Sequence, residues 1–225
     1  MQTAEIELKF QIDDLERLQS RLPGLGFQLD TPRTFEQNTL YDTGGRDLRA
    51  SKQILRVRRY GDIWTVTHKR QPSLSTLEDQ SRYKVRVETE SIVEDGDALA
   101  VIFEQLGYGA MFRYEKFRTE WSQPASLYGE ASLDPGLCGP DLPPPPSKGH
   151  LVIDETPIGE FAELEGTPEW IDRTLALLQV DLSACTTESY GRLFLAWKQR
   201  TGSPAENLTF DEIPALAMQL QDTLR

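Results

Sequence analysis

The chain has 225 residues, 38% hydrophobic and 27% charged, with a net charge of −12, enough for a globular protein with a sizeable core. That acidity argues against broad binding of nucleic acid or an anionic membrane, either of which needs an extended positive surface. No apolar run reaches the length of a membrane span and no basic-then-apolar leader opens the chain, so the sequence predicts a cytoplasmic protein without membrane contact. Cys138 and Cys185 stand far apart without metal-type spacing, and read as free thiols rather than a disulfide or zinc site.

In chain order, the first predicted element is the strand EIELKF, which puts Glu5, Glu7 and Lys9 on one face and Ile6, Leu8 and Phe10 on the other. A helix follows, with Asp13 and Glu16 as a capping box, Leu15, Leu18 and Leu22 at helical spacing, and Pro23-Gly24 as its stop. NTLYD near residue 40 reads as a strand. ILRVRR sets Arg56 and Arg58 against Leu55 and Val57, and WTVTHK sets Thr65, Thr67 and Lys69 against Trp64, Val66 and His68. YKVRVETE aligns Lys84, Arg86, Glu88 and Glu90 against Val85 and Val87.

A second helix is expected from Asp97, with Leu99, Ile102, Phe103 and Leu106 as its apolar stripe. YEKFRTEW then carries Lys116, Arg118 and Glu120 on one face, LVIDE brings Asp154, and FAELE places Glu163 and Glu165 opposite Ala162 and Leu164. Residues 134–149 are too rich in Pro and Gly for regular structure and read as a surface loop with polyproline character. Thr167-Pro168 opens a helix through Ile171, Leu175 and Leu178, and another runs from Ser189 to Arg200. Residues 201–225 read as an amphipathic helical tail beyond a main domain of residues 1–200, with no internal repeat and no second core.

Some eight strands thus share one pattern, an apolar face opposed by an ionised one. An open sheet with helices on its greasy side would leave the charges in water, but exposed strand faces favour Thr, Ser and Gln over interleaved Arg, Lys and Glu. A closed barrel with the charges inward accounts for the residue choice and removes the sheet edges. Its interior could not stay empty, because buried charge must be paired or ligated. Basic groups suit phosphate oxygens, and clustered carboxylates suit a hard divalent cation. The sequence therefore predicts an α+β protein: a closed eight-stranded antiparallel β-barrel with helices packed outside.

The blocks carrying this pattern resemble the CYTH superfamily, the triphosphate tunnel metalloenzymes. They are Glu5-Ile6-Glu7-Leu8-Lys9, YDT at Tyr41 to Thr43, LRVRR at Leu55 to Arg59, the Lys69 strand, RVETE at Arg86 to Glu90, KFR at Lys116 to Arg118, and IDETPIGEFAELEG at Ile153 to Gly166. The resemblance spans about residues 3 to 198. It implies Mg²⁺ or Mn²⁺ held by Glu5, Glu7, Glu163 and Glu165, with Glu88 and Asp154 in supporting or second-metal roles. It also implies a triphosphate gripped by Lys9, Arg56, Arg58, Lys69, Arg86 and Arg118, with Lys9, Arg58 and Lys69 nearest the chemistry. Two positions depart from the family pattern: Leu40, where many members have an aromatic, and Thr187-Glu188, where many have a Lys before the Ser-Tyr of the last helix.

The family holds several chemistries, so fold alone does not settle the reaction. The expectation is a divalent-metal-dependent triphosphatase acting on tripolyphosphate or a small organic triphosphate such as thiamine triphosphate. Alternatives are a class IV adenylyl cyclase and a non-catalytic polyphosphate binder; a capping-type RNA triphosphatase fits the acidic surface poorly. The partner expected is a small-molecule triphosphate, with the protein a monomer or homodimer. His68 and His150 read as strand or surface histidines rather than general bases, Tyr41 and Tyr190 as packing residues, and Ser189 lacks a neighbouring histidine that would make it a nucleophile.

Overall fold

The computed structural model describes residues 2–72, 82–123 and 148–214. The strands are β1 (Gln2–Gln11), β2 (Gln28–Thr43), β3 (Ile54–Tyr60), β4 (Ile63–Arg70), β5 (Lys84–Val93), β6 (Tyr108–Gln123), β7 (Gly149–Thr156), β8 (Gly159–Glu165) and the two-residue β9 (Cys185–Thr186). The helices are α1 (Leu15–Arg21), α2 (Asp47–Ala50), α3 (Gly96–Gln105), α4 (Pro168–Leu178) and α5 (Tyr190–Thr201). The sheet runs β5-β4-β3-β2-β6-β7-β8-β1, all neighbours antiparallel, and β1 pairs with β5 to close it. This is the eight-stranded barrel predicted from the alternating faces.

Closure divides the labour of β1. Its residues 2–7 pair with β5, while Glu7 to Gln11 pair with β8 on the other side. Where β5 ends, β9 takes its place beside Lys9 and Phe10. The longest strands, β2 and β6, lose register around Thr31 to Thr34, where Pro32 has no N–H to give a ladder.

The apolar faces point outward under the helices. Ile6, Leu8, Val85, Leu151, Ile153 and Leu164 pack against Leu18 and Leu22 of the α1 segment and Trp170, Ile171, Leu175 and Leu178 of α4. Thr167 caps α4 by accepting from the Trp170 N–H. Gly149 admits the Trp170 indole, since a Cβ there would lie 2.0 Å from the ring. A second cluster closes one end of the barrel: Tyr190 and Phe194 of α5 meet Tyr114, Phe161 and Leu208.

Three local expectations are corrected. Asp14, not Asp13, caps α1, and Asp95, not Asp97, caps α3. On α3, Phe103 packs on Tyr41, but Ile102 and Leu106 are exposed. The third is the tail, which is not helical over residues 203–213. Leu208 instead bridges β6, donating to the Arg113 carbonyl and accepting from the Glu115 N–H at 3.0 and 2.9 Å. β7 pairs with β6 only from Phe117 onward, so those backbone groups are open and the tail satisfies them. Residues 215–225, and the Pro-rich stretch apart from Lys148 and Gly149, lie outside the described residues, as does Cys138. No described helix is long and apolar enough to cross a membrane.

Candidate functional site

Inward side chains from all eight barrel strands line one cavity of about 550 Å³, closed at one end by Ser189, Tyr190 and Gly191 at the start of α5. Among the described residues, its charged lining comprises seven Lys or Arg residues and eight Asp or Glu residues. Such a balance leaves little excess positive charge to receive a polyanion unaided.

The carboxylates concentrate in one corner. Glu5 and Glu7 of β1 and Glu165 of β8 have ligand oxygens within 4.8 Å of one another, and Glu7 and Glu165 are register partners. Glu5 accepts from the Lys69 ammonium at 2.7 Å, and Glu7 accepts from Lys84. Glu165 makes no hydrogen bond or ion pair among the described residues, and burial together with neighbouring Glu5 pushes its carboxyl up to about 8. Three converging carboxylates, one of them uncompensated, form an oxygen donor set suited to a hard divalent cation.

The basic groups face this corner. Lys9, 2% exposed, lies 2.8 Å from Glu163, donates to the Glu188 carbonyl and sits 4.1 Å above the Tyr190 ring. Burial alone would lower its ammonium, but Glu163 and Glu7 hold it above its ordinary value. Lys69 also contacts Glu88 at 2.9 Å. Arg58 reaches Glu90 at 3.1 Å and Thr65 at 3.2 Å, and Arg56 reaches Thr67 and the Tyr114 hydroxyl at 3.2 and 3.3 Å.

Behind this row lies a network of buried ion pairs and hydrogen bonds in the β2–β6–β7 wall, which leaves Glu36 Oε2 and Asn38 Oδ1 without hydrogen bonds among the described residues. Asp154 is fully buried and accepts from Lys116 at 2.8 Å, from Arg118 through both oxygens at 2.7 Å, and from the Tyr190 hydroxyl at 2.7 Å. Glu36 contacts Lys116 at 3.3 Å and accepts from Asn38 at 2.8 Å. Burial would raise Glu36, but Lys116, Arg118 and Arg58 hold it far below the usual carboxylate range.

Of the residues singled out from sequence, Glu5, Glu7, Lys9, Arg56, Arg58, Lys69, Glu88, Arg118, Glu163 and Glu165 share the cavity. Glu163 is turned to Lys9 and Arg118, and Glu88 to Lys69 and Arg56. Asp154 stands behind the wall, its oxygens occupied by cations and a hydroxyl, outside the carboxylate trio. Arg86 lines a separate smaller cavity. Sequence reasoning misses Lys84, Lys116, Glu36 and the Tyr190 hydroxyl. Lys84 and Lys116 are visible as inward positions of their strands, but the inner row of β2 is hidden because its outer row is not uniformly apolar. His68 turns outward to Gln53, as its parity predicts. His150 lines the cavity instead of a surface, and burial lowers its imidazole, with Asp30 and Glu120 opposing.

A closed antiparallel barrel whose interior opposes a carboxylate trio to a row of cations defines the tunnel class of fold. The chain matches the CYTH domain over residues 3–176, and it belongs to that family. It is 28% identical over 130 residues to a candidate adenylate cyclase of Methanocaldococcus jannaschii, covering 58% of this chain and 69% of that one. Among solved structures, it superposes on a candidate adenylate cyclase of Vibrio parahaemolyticus with a TM-score of 0.61 at 16% identity, covering 86% and 98% of the two chains. A candidate adenylyl cyclase of Hippeastrum with a dominant triphosphatase activity gives a TM-score of 0.54 at 17% identity, covering 86% and 96%. These structures share the fold with this protein.

Proposed function

We propose that the protein hydrolyses the terminal phosphoanhydride of tripolyphosphate or a small organic triphosphate, with Mg²⁺ or Mn²⁺ held by Glu5, Glu7 and Glu165. The observation that carries this reading is the carboxylate trio, with Glu165 uncompensated among the described residues, facing a row of buried cations in one cavity. When bound, the divalent cation supplies charge neutralisation at phosphate oxygens and polarises the anhydride. Lys9, Lys69, Arg56, Arg58 and Arg118 grip the chain, exchanging carboxylate partners for phosphate oxygens without new desolvation, since they are already largely buried. Asp154 and Tyr190 act one step back, fixing Arg118, Lys116 and Lys9. Water adds to the terminal phosphorus and the bridging P–O bond breaks, so tripolyphosphate yields orthophosphate and diphosphate.

A cyclase reading is favoured by one feature, the apolar wall of Leu40, Ile54 and Phe112 on the same cavity, which could seat a nucleobase. Incubation of the protein with tripolyphosphate, thiamine triphosphate or ATP, with either metal, separates the readings by product. Orthophosphate supports the hydrolase, cyclic AMP with diphosphate supports the cyclase, and metal-dependent binding without turnover leaves a polyphosphate binder. Absence of both binding and turnover overturns all three.

A further inference from the structure

Beside the barrel cavity lies a second, smaller one of about 290 Å³, walled by Lys84, Arg86, Tyr83, Thr187, Glu188 and Arg192 among others. Lys84 lines both cavities, so the two adjoin at its side chain. Their charge differs. Among the described residues, the barrel lining holds eight carboxylates to seven cations, whereas the smaller cavity holds three cations, Lys84, Arg86 and Arg192, to the one carboxylate of Glu188.

Arg86 is the telling residue. Every Lys and Arg lining the barrel cavity has a carboxylate within ion-pair distance. Arg86, on the same inward face of β5, has none among the described residues and donates only to the neighbouring Val85 carbonyl at 3.0 Å. Its guanidinium keeps most of its N–H donors for a ligand, in the fork geometry that suits phosphate oxygens. Arg192, across the cavity, meets among the described residues only Glu188, at 3.7 Å in an exposed pair, which holds it weakly.

We propose that this side cavity is a second anion subsite, which takes phosphate units of a linear polyphosphate extending beyond the three held in the barrel. The inference rests on the barrel reading above and deepens it by naming chain length as a specificity variable. It also gives a role to the departure at Thr187-Glu188: with no lysine there, the positive charge at this end of the barrel comes from β5 and α5 instead.

The test is equilibrium binding of the full chain to linear tripolyphosphate and linear pentaphosphate, with Mg²⁺, at fixed ionic strength. With a further charge-assisted contact to arginine, pentaphosphate should bind about tenfold tighter than tripolyphosphate or more. Arg86→Ala should bring the ratio of the two affinities towards one. Arg192→Glu, at an exposed position, should reduce the same ratio while leaving tripolyphosphate affinity within about twofold of the parent. Equal affinity of the parent for both lengths, or a ratio untouched by both variants, would overturn the subsite while leaving the barrel reading intact. Failure of the parent to bind tripolyphosphate would overturn the barrel reading and this inference together.

Discussion

Two walls of the same barrel use the same residue types to opposite ends. In the β2–β6–β7 wall, Asp154 is saturated by Lys116, Arg118 and Tyr190, and Glu36 is surrounded by cations, with Lys116 and Asn38 on Oε1 and Arg58 and Arg118 at 3.8 Å from Oε2. In the β1–β8 corner, Glu5 and Glu7 have one ammonium each, while Glu165 has no partner among the described residues and is pushed up. Saturation makes a scaffold that sets cation positions, and deficit makes a site that calls for a ligand. The contrast predicts that mutations in the first wall cost stability, whereas those in the second cost activity and can even stabilise the metal-free protein.

The largest expected effect is in the saturated wall. Asp154→Ala leaves Lys116 and Arg118 buried beside lost partners, and breaking a buried pair in this way costs about 3–5 kcal/mol. The urea midpoint should drop accordingly; a midpoint unchanged from the parent would mean that the network is not a scaffold. In the deficit corner, Glu165→Gln should cut metal-dependent turnover by about a hundredfold or more, ~3 kcal/mol. The same change should raise the melting temperature of the metal-free protein by a few degrees, ~1 kcal/mol, because burial and neighbouring Glu5 disfavour ionised Glu165 in the folded state and glutamine carries no such cost. A variant that lost both stability and activity would break the comparison.

How far the sequence announces these walls depends on the outer faces of their strands. In β1, β3 and β5 the outer rows are mainly Ile, Leu, Val and Phe, so the inner charges stand out at period two. Alternation also places Glu163 and Glu165 on one face of β8, but it is the family resemblance that assigns Glu5, Glu7, Glu163 and Glu165 together to a metal, and nothing local separates Glu163 from the trio. In β2 the outer row is Phe35, Gln37 and Thr39, with Gln37 bonded to Glu115 outside the barrel, so Glu36 and Asn38 carry no periodic signal. Asp154 reads as inward, but nothing local tells a carboxylate that meets three donors from one that meets a metal. Helix existence is legible while caps slip by one or two residues, because Asp13 and Asp14, or Asp95 and Asp97, compete as acceptors and tertiary packing decides. Over residues 203–213 the tail departs from the helical expectation for a different reason: its course there is set by an unpaired stretch of β6 nearly a hundred residues earlier, which helical periodicity in the tail cannot report.

The link between the two walls is Tyr190, whose hydroxyl serves Asp154 and whose ring underlies Lys9. Tyr190→Phe keeps the ring and removes the hydroxyl. Asp154 retains Lys116 and Arg118, so the stability loss should be about 1 kcal/mol. Tripolyphosphate affinity should fall by no more than about fivefold, since Lys9 keeps its aromatic support. Tyr190→Ala, which removes both, should weaken binding further. Equal affinities for the two variants would show that the ring does not position Lys9.

The smallest effect concerns acid. Glu36 is held in its ionised form in the folded protein, mainly by Lys116 and Arg118 against the pull of burial, while in the unfolded chain it titrates near 4.5. Its folded value is therefore the lower one, so its contribution is fully present above the unfolded value and is lost as pH falls below it. Between pH 5 and pH 4 the unfolded chain holds on average about half a proton at this position and the folded protein almost none, which removes ~0.7 kcal/mol of stability. Glu36→Gln cannot titrate, so although it starts less stable at neutral pH, its stability should decline less steeply over that interval. Urea midpoints for both proteins at pH 5 and pH 4 read the difference directly. Parallel declines would mean that Glu36 is not held ionised by its cations, and the contrast between this wall and the β1–β8 corner would rest on Asp154 alone.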